Sequence, residues 1–551
     1  MGEGRVVRRR LGFGGALLAT LFACASLTPS LLPRAWLNQG VMSAVTAILG
    51  YAVGAGFGAL GRAMIPYRLP ERGRRIAWRV MIGCCVALAA VALWYSVHWQ
   101  RDLRALMGMD TRISWFPPLI LAVAVALFAV ALLLARLVRL GSRKLITWLD
   151  RYVPVSVGRA VGVLIIAFLV VVFANGVVFD GFVARMSDVS SVANEGTHPG
   201  VRRPASAYVS GGPGSLVTWE SLGKEGRRFT ATAATPARLT AFSGRPAAQP
   251  IRVYVGLDAT TSPQAQAATA VRELERTGAF GRPVLAVLGT TGTGWVDPRI
   301  ADSLEYLYNG RSAMVAVQYS YLPSWLSFLV DRHKAAAAGR ALFEAVRARV
   351  ARLPAATRPK LVLSGESLGA YELEGSFRDL EDMAERADGA LFVGPPNANP
   401  IWRHLSANRD QGSPVWRPVY QDGRTARFAQ HAADLYRPGG PWPPPRVVYL
   451  QNASDPVVWW SPELVYSRPA WLEEPRGPDV NPEMNWFPLV TFWQVLADLS
   501  AGLSVPPGHG HRYGADIADG WAAVAAPPGW DAGDTGRLRT LLSGRSSAPR
   551  P

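Results

Sequence analysis

Apolar residues are distributed along the chain in two regimes. Up to about residue 185 they run in long blocks, roughly 11–33, 38–61, 80–98, 114–135 and 160–182, with no Asp, Glu, Lys or Arg in mid-block. A bilayer core of about 30 Å needs about 20 such residues per helix, so the pattern predicts five transmembrane helices. Gly50, Gly54 and Gly58 fall on one helical face and predict close helix packing. With no charge inside a segment there is no sign of a proton or ion route, and this part reads as an anchor.

Beyond 186 the blocks shorten. Residues 186–250, rich in Gly, Pro, Ser and Arg, read as a linker and entry subdomain. Short β-branched runs then appear at 251–256, 284–289, 314–319, 360–364, 390–394 and 446–451, alternating with helical stretches at 262–277, 333–353 and 368–386. That alternation predicts an α/β fold, a mostly parallel sheet flanked by helices. The expected division is a transmembrane α-helical domain over 1–185, the linker, and a catalytic domain over 251–551 with a cap insertion at 395–445. Tryptophans cluster in the insertion (Trp402, Trp416, Trp442) and after residue 455 (Trp459, Trp460, Trp471, Trp486, Trp493, with Phe487). They suit a cap facing an apolar acyl chain or the bilayer surface, or plain core packing.

Charge changes the picture of sidedness rather than of partner. The 551-residue chain has a formal net charge of +18, but residues 1–185 hold 21 basic and 6 acidic side chains and the remainder is nearly neutral. A nucleic-acid reader would carry its basic patch on the folded domain, so nucleic acid is not an expected partner. The arginines concentrate at 5–10, 62–79 and 136–159, in alternate loops. The positive-inside rule therefore predicts a multi-pass protein of the cell membrane with a cytoplasmic N-terminus and an extracytoplasmic catalytic domain. Ala23-Cys24-Ala25 resembles a signal-peptide cleavage site, and cleavage there would leave that topology unchanged. Cys24, Cys84 and Cys85 all lie in apolar blocks, so the C-terminal part has neither a disulfide framework nor a thiolate metal site. Four lysines against abundant Ala, Gly and Pro suggest a high-GC bacterial source.

The chemistry concentrates after the fourth β-run. LVLS leads into Gly365-Glu366-Ser367-Leu368-Gly369, a G-x-S-x-G motif followed by a helix-competent stretch. Strand, sharp turn and helix are what hold a serine hydroxyl clear of the backbone as a nucleophile. Such a serine needs a base and an orienting carboxylate, in the chain order Ser, acid, His. Asp455 lies just past the run 446–451, where that acid is expected. Only His509 and His511 follow it, in PPGHGHRYG (506–514). His511 is taken as the base, with His509 as the alternative. Two N–H donors should face the oxyanion: Leu368, after the nucleophile, and the glycine-rich loop at Thr290 and Thr291. That loop is spaced G-x-x-G-x-G, so it is no dinucleotide fingerprint, and neither a cofactor nor a metal is expected.

GTTGTGWVDP (289–298), SGESLGAYELEGSF (364–377), SDPVVWW (454–460) and PPGHGHRYG resemble the α/β-hydrolase superfamily. More closely, the chain resembles a bacterial family of membrane-anchored α/β-hydrolases with a multi-helix N-terminal domain. The resemblance implies a serine hydrolase carried on Ser367, Asp455 and one late histidine, and names no substrate. The function expected is hydrolysis, through an acyl-enzyme, of an ester of a lipid or cell-envelope component, with the lipid bilayer and a small-molecule or lipid ester substrate as partners. Acyl transfer at the same triad and a catalytically silent binding protein are the alternatives.

Overall fold

The computed structural model describes residues 11–64, 70–113, 117–149, 176, 180–473 and 475–544. It divides into two compact units. The first holds the described residues up to Phe182 together with Ser461–Glu473 and Pro478–Val505, and the second holds Val183–Trp460, Glu474–Gly477 and the chain from Pro506.

The first unit is helical: α1 (Phe13–Ser26), α2 (Trp36–Met64), α3 (Glu71–Leu106) and α4 (Pro117–Leu149). Among the described residues, α2, α3 and Pro117–Gly141 of α4 are long and apolar enough to cross a membrane. The block 11–33 is not one continuous span. The 14 residues of α1 rise about 21 Å, less than a bilayer core. The chain then leaves the helix through Thr28-Pro29-Ser30 and Pro33, where the two prolines lack the N–H a helix needs. Leu31 and Leu32 in this stretch are fully buried. The predicted close packing is present at two of the three glycines. A Cβ on Gly54 would lie 2.1 Å from the Gly14 carbonyl oxygen, and one on Gly50 2.3 Å from that of Leu18. The fifth predicted segment, 160–182, lies almost wholly outside the described residues; α5 (Asp180–Glu195) follows it.

The second unit is built on seven parallel strands: β1 (Ile251–Val255), β2 (Val284–Gly289), β3 (Ser312–Val317), β4 (Lys360–Glu366), β5 (Gly389–Val393), β6 (Ala426–Ala429) and β7 (Arg446–Leu450). Their order in the sheet is β1-β3-β2-β4-β5-β7-β6. Strands covered on both faces read as near-continuous apolar runs, which is why six of them are visible as β-branched segments. The seventh, β6, lies inside the stretch expected as a cap, so part of 395–445 is instead the sheet edge beside β7. The helices that concern the site are α6 (Ser324–Val330), α7 (Arg332–Ala351), α8 (Leu368–Glu374) and α9 (Pro400–Ala407). The single helix expected over 368–386 is broken after Glu374: Gly375 closes α8, and Asp379 caps a new helix, Leu380–Arg386, through the Asp382 N–H. Residues 186–250 are more than a linker, since Ser210 and Tyr208 hydrogen-bond the Arg252 backbone of β1 at 3.0 and 3.3 Å.

Residues 461–505 depart furthest from expectation. Of the aromatic stretch expected as a cap or as core, Trp459 and Trp460 lie in the second unit, whereas Trp471, Trp486, Phe487 and Trp493 belong to the helical unit. Here α10 (Val490–Asp498) packs against α1 and α2. Arg34, just before α2, donates through Nε to Asp498 Oδ1 at 2.7 Å and through Nη2 to the Gln494 carbonyl at 2.9 Å. The Leu31 N–H and Ser30 hydroxyl converge on Asp498 Oδ2.

Candidate active site

The turn after β4 carries the first candidate side chain, Ser367. Ser367 has φ 55° and ψ −125°, a left-handed conformation that costs a residue with a Cβ about 1–3 kcal/mol. Its surroundings hold it there. The Ser367 N–H donates to the Val393 carbonyl of β5 at 2.8 Å, and three glycines let backbones meet. A Cβ on Gly365 would lie 2.3 Å from the Gly369 carbonyl carbon, one on Gly369 2.5 Å from the Gly289 oxygen, and one on Gly289 2.1 Å from the Gly369 oxygen. Both motif glycines, and the last residue of β2, are therefore demanded by this crossing. Leu368 opens α8, so its N–H has no acceptor within the helix.

Asp455 follows β7 and is fully buried. Its Oδ1 caps the short helix Pro456–Trp459 by accepting the Val457 N–H at 2.8 Å. Its Oδ2 lies 2.7 Å from His511 Nδ1. The histidine loop is sewn to the turn that carries the aspartate: Asn452 Nδ2 donates to the Gly510 carbonyl at 2.8 Å, and the Gly510 N–H to Ser454 Oγ at 2.9 Å. Of the two late histidines, His511 is the one that meets Asp455. His509 forms the other limb of the loop, its carbonyl accepting the Arg512 N–H at 3.2 Å. The imidazole of His511 rests on Gly394, where φ is +53° and a Cβ would lie 2.6 Å from His511 Cε1. Gly394 directly follows the residue that binds the Ser367 amide, so the Ser367 turn, Asp455 and His511 share one end of the sheet.

Tyr513 belongs to this group and was missed in the sequence. Its hydroxyl donates to Asp455 Oδ2 at 2.6 Å and accepts the Asn452 N–H at 3.2 Å. Burial, then the charge of Asp455, push its phenol well above the ordinary range, so it remains a donor. The only local hint is its i, i+2 spacing from His511.

The glycine-rich loop differs from expectation. The Thr290 N–H donates to Glu372 Oε2 at 2.7 Å, and the Thr291 N–H to the Trp295 carbonyl at 3.0 Å. Both amides proposed as oxyanion donors are thus spent inside the protein. Glu372, buried on α8, has its carboxyl pushed well above the usual range by desolvation and ties the loop to the nucleophile helix. Among the described residues no group of three or more His, Cys, Asp or Glu is placed to hold a metal ion.

Residues 251–538 match the model of an alpha/beta-hydrolase family, and residues 27–233 match the model of that family's N-terminus. The chain belongs to this alpha/beta-hydrolase family. The hydrolase match begins at β1, and the N-terminal match runs from the buried stretch after α1 into the second unit. Comparison with curated proteins and with solved structures returned no match. Family membership points to hydrolase-type chemistry on this sheet.

Proposed function

We propose that this alpha/beta-hydrolase is a membrane-anchored serine hydrolase acting on an ester through an acyl-enzyme. The observation that carries the reading is the His511–Asp455 hydrogen bond of 2.7 Å, formed over Gly394 beside the strained Ser367 turn. Asp455 and Tyr513 orient the imidazole with Nδ1 toward the carboxylate, leaving Nε2 to take the Ser367 proton as Oγ bonds to the ester carbonyl carbon. The leaving alcohol departs with that proton. Water, deprotonated by the same imidazole, then releases the acid and restores Ser367. The Leu368 N–H supplies one oxyanion donor. With Thr290 and Thr291 engaged elsewhere, the second falls to the next amides of the loop, Gly292 or Thr293.

The proposed topology has support within the helical unit. Segment 461–505, which leaves the catalytic chain and returns to it, is bonded to Arg34 and, through Glu483, to Trp99 Nε1 at 2.6 Å. The arginine clusters sit at the opposite ends of α2 and α3, at Arg62 and at Arg72, Arg74, Arg75 and Arg79. Positive-inside then leaves the catalytic chain outside the cytoplasm.

An active-site fluorophosphonate tests the catalytic reading. Wild-type protein should be labelled and Ser367→Ala should not. Equal labelling of the two, or no labelling of folded wild type, would overturn it. In intact cells the second unit should be open to added protease from the outer face, and its protection would overturn the topology.

A further inference from the structure

The loop between β3 and α7 carries an apolar surface that the chemistry above does not use. Within α6 the inward residues Leu326 and Ser327 are fully buried, while Trp325 and Leu329, four residues apart on the other face, are 52% and 45% exposed. The inner side rests on the glycine-rich loop after β2. A Cβ on Gly292 would lie 2.4 Å from the Leu322 carbonyl oxygen and 2.6 Å from Ser327 Cβ. At its far end Phe328 meets Trp460, which closes the short helix capped by Asp455, with ring centroids 6.2 Å apart. So α6 bridges the loop on the oxyanion side of Ser367 and the turn on the acid side.

Exposed Arg332 and Lys334 follow at once. Arg332 stacks its guanidinium on Phe328 at 5.2 Å, and Lys334 pairs with Asp331 at 2.8 Å. Asp331 is itself buried and accepts the Ser320 hydroxyl at 2.6 Å, tying the two ends of the loop together. An exposed Trp and Leu flanked by basic side chains are what an element lying at a membrane surface presents. The aromatic ring settles at headgroup depth, and each basic residue adds about 1 kcal/mol toward anionic lipid. The bilayer is the occupant the chain supplies for itself, because its own three long apolar helices keep a membrane at high effective concentration.

We infer that α6, with Trp325 and Leu329 outward and Arg332 and Lys334 behind them, seats on a phospholipid bilayer, so that the esters reaching Ser367 are drawn from the membrane. This rests on the hydrolase reading for its substrate, while the docking itself is read independently. The full-length protein, carrying a benzophenone amino acid at Leu329, is reconstituted in phosphatidylglycerol or phosphatidylcholine nanodiscs and irradiated. A lipid adduct, stronger with phosphatidylglycerol, is expected whether or not Ser367 is reactive. An adduct to a second protein chain, or none, overturns the inference. The paired kinetic test uses Trp325→Ser/Leu329→Ser. Hydrolysis of a bilayer-embedded long-chain ester should fall by about tenfold or more, the burial of two apolar side chains being lost, while a short water-soluble ester is turned over as before. Equal loss on both esters, or on neither, overturns it. Failure of the hydrolase reading would show separately, as absent fluorophosphonate labelling alongside an intact lipid adduct.

Discussion

The Arg34–Asp498 pair should hold α10 in the helical unit, and its removal gives a quantitative test. Both side chains are essentially excluded from solvent, at 2% and 0% exposure. Arg34 also donates to Gln39 Oε1 at 3.1 Å, and Asp498 also receives Ser30 and the Leu31 N–H. Asp498→Ala strands a buried guanidinium, which costs about 3–5 kcal/mol. At about 1.4 kcal/mol per decade, opening of α10 should become at least about a hundredfold more frequent. Arg34→Met added to Asp498→Ala removes the stranded charge; the Ser30 and Leu31 donors are already orphaned in Asp498→Ala, at about 1–3 kcal/mol each, and Gln39 Oε1 and the Gln494 carbonyl now lose the Arg34 donor. The double variant should then be no worse than Asp498→Ala alone, where independent sites would add. Amide hydrogen exchange of Val490–Asp498 in nanodiscs reads this opening directly. Protection that falls less than tenfold in Asp498→Ala, or single losses that sum in the double variant, would refute the claim that the buried ion pair is what docks this helix.

Three further outcomes follow from the catalytic unit. Gly394→Ala should cut the fluorophosphonate labelling rate by about a hundredfold with the circular dichroism unchanged, because a Cβ 2.6 Å from His511 Cε1 displaces the imidazole; unaltered labelling would remove Gly394 as its floor. Tyr513→Phe should lower kcat by about tenfold with KM held, since the Asp455 carboxylate loses a charge-assisted donor; a change in KM alone would count against a positioning role. Glu374, buried on α8 with its carboxylate at the N-terminus of α9, accepts the Trp402 N–H at 2.6 Å, and burial raises its pKa from 4.5 to about 7. The proton is thus held more tightly in the folded chain, so stability from this group is full below about pH 4.5 and is lost as pH rises through about 7, by about 3 kcal/mol in all. Glu374→Gln should flatten that part of the thermal-stability profile between pH 4 and 8, and parallel profiles for the two proteins would refute it.

What was legible in the sequence is what is local. A β-branched run of five to seven residues buried on both faces is visible wherever it occurs, and the Ser367 turn is announced by glycines that steric contact demands within four residues of one another. β6 is only Ala426–Ala429, and its place is set by β7, not by its own composition. The Thr290 and Thr291 amides were illegible for a related reason: glycines advertise a loop that a ligand could approach, but the partner of the Thr290 amide is Glu372, 82 residues away. The same distance effect works for the late histidines. His509 and His511 are indistinguishable by spacing, and it is His511 that meets Asp455, in a loop whose Gly510 accepts from Asn452 Nδ2 and donates to Ser454 Oγ. Hydropathy is weakest where a polar pair is buried. Arg34 and Asp498, 464 residues apart, each look like ordinary surface charges, yet together they carry an aromatic stretch of the catalytic chain into the helical unit. Excess arginine at one end of these helices can be counted from the sequence, whereas the attachment that Arg34 makes near the other end appears only once its carboxylate is found.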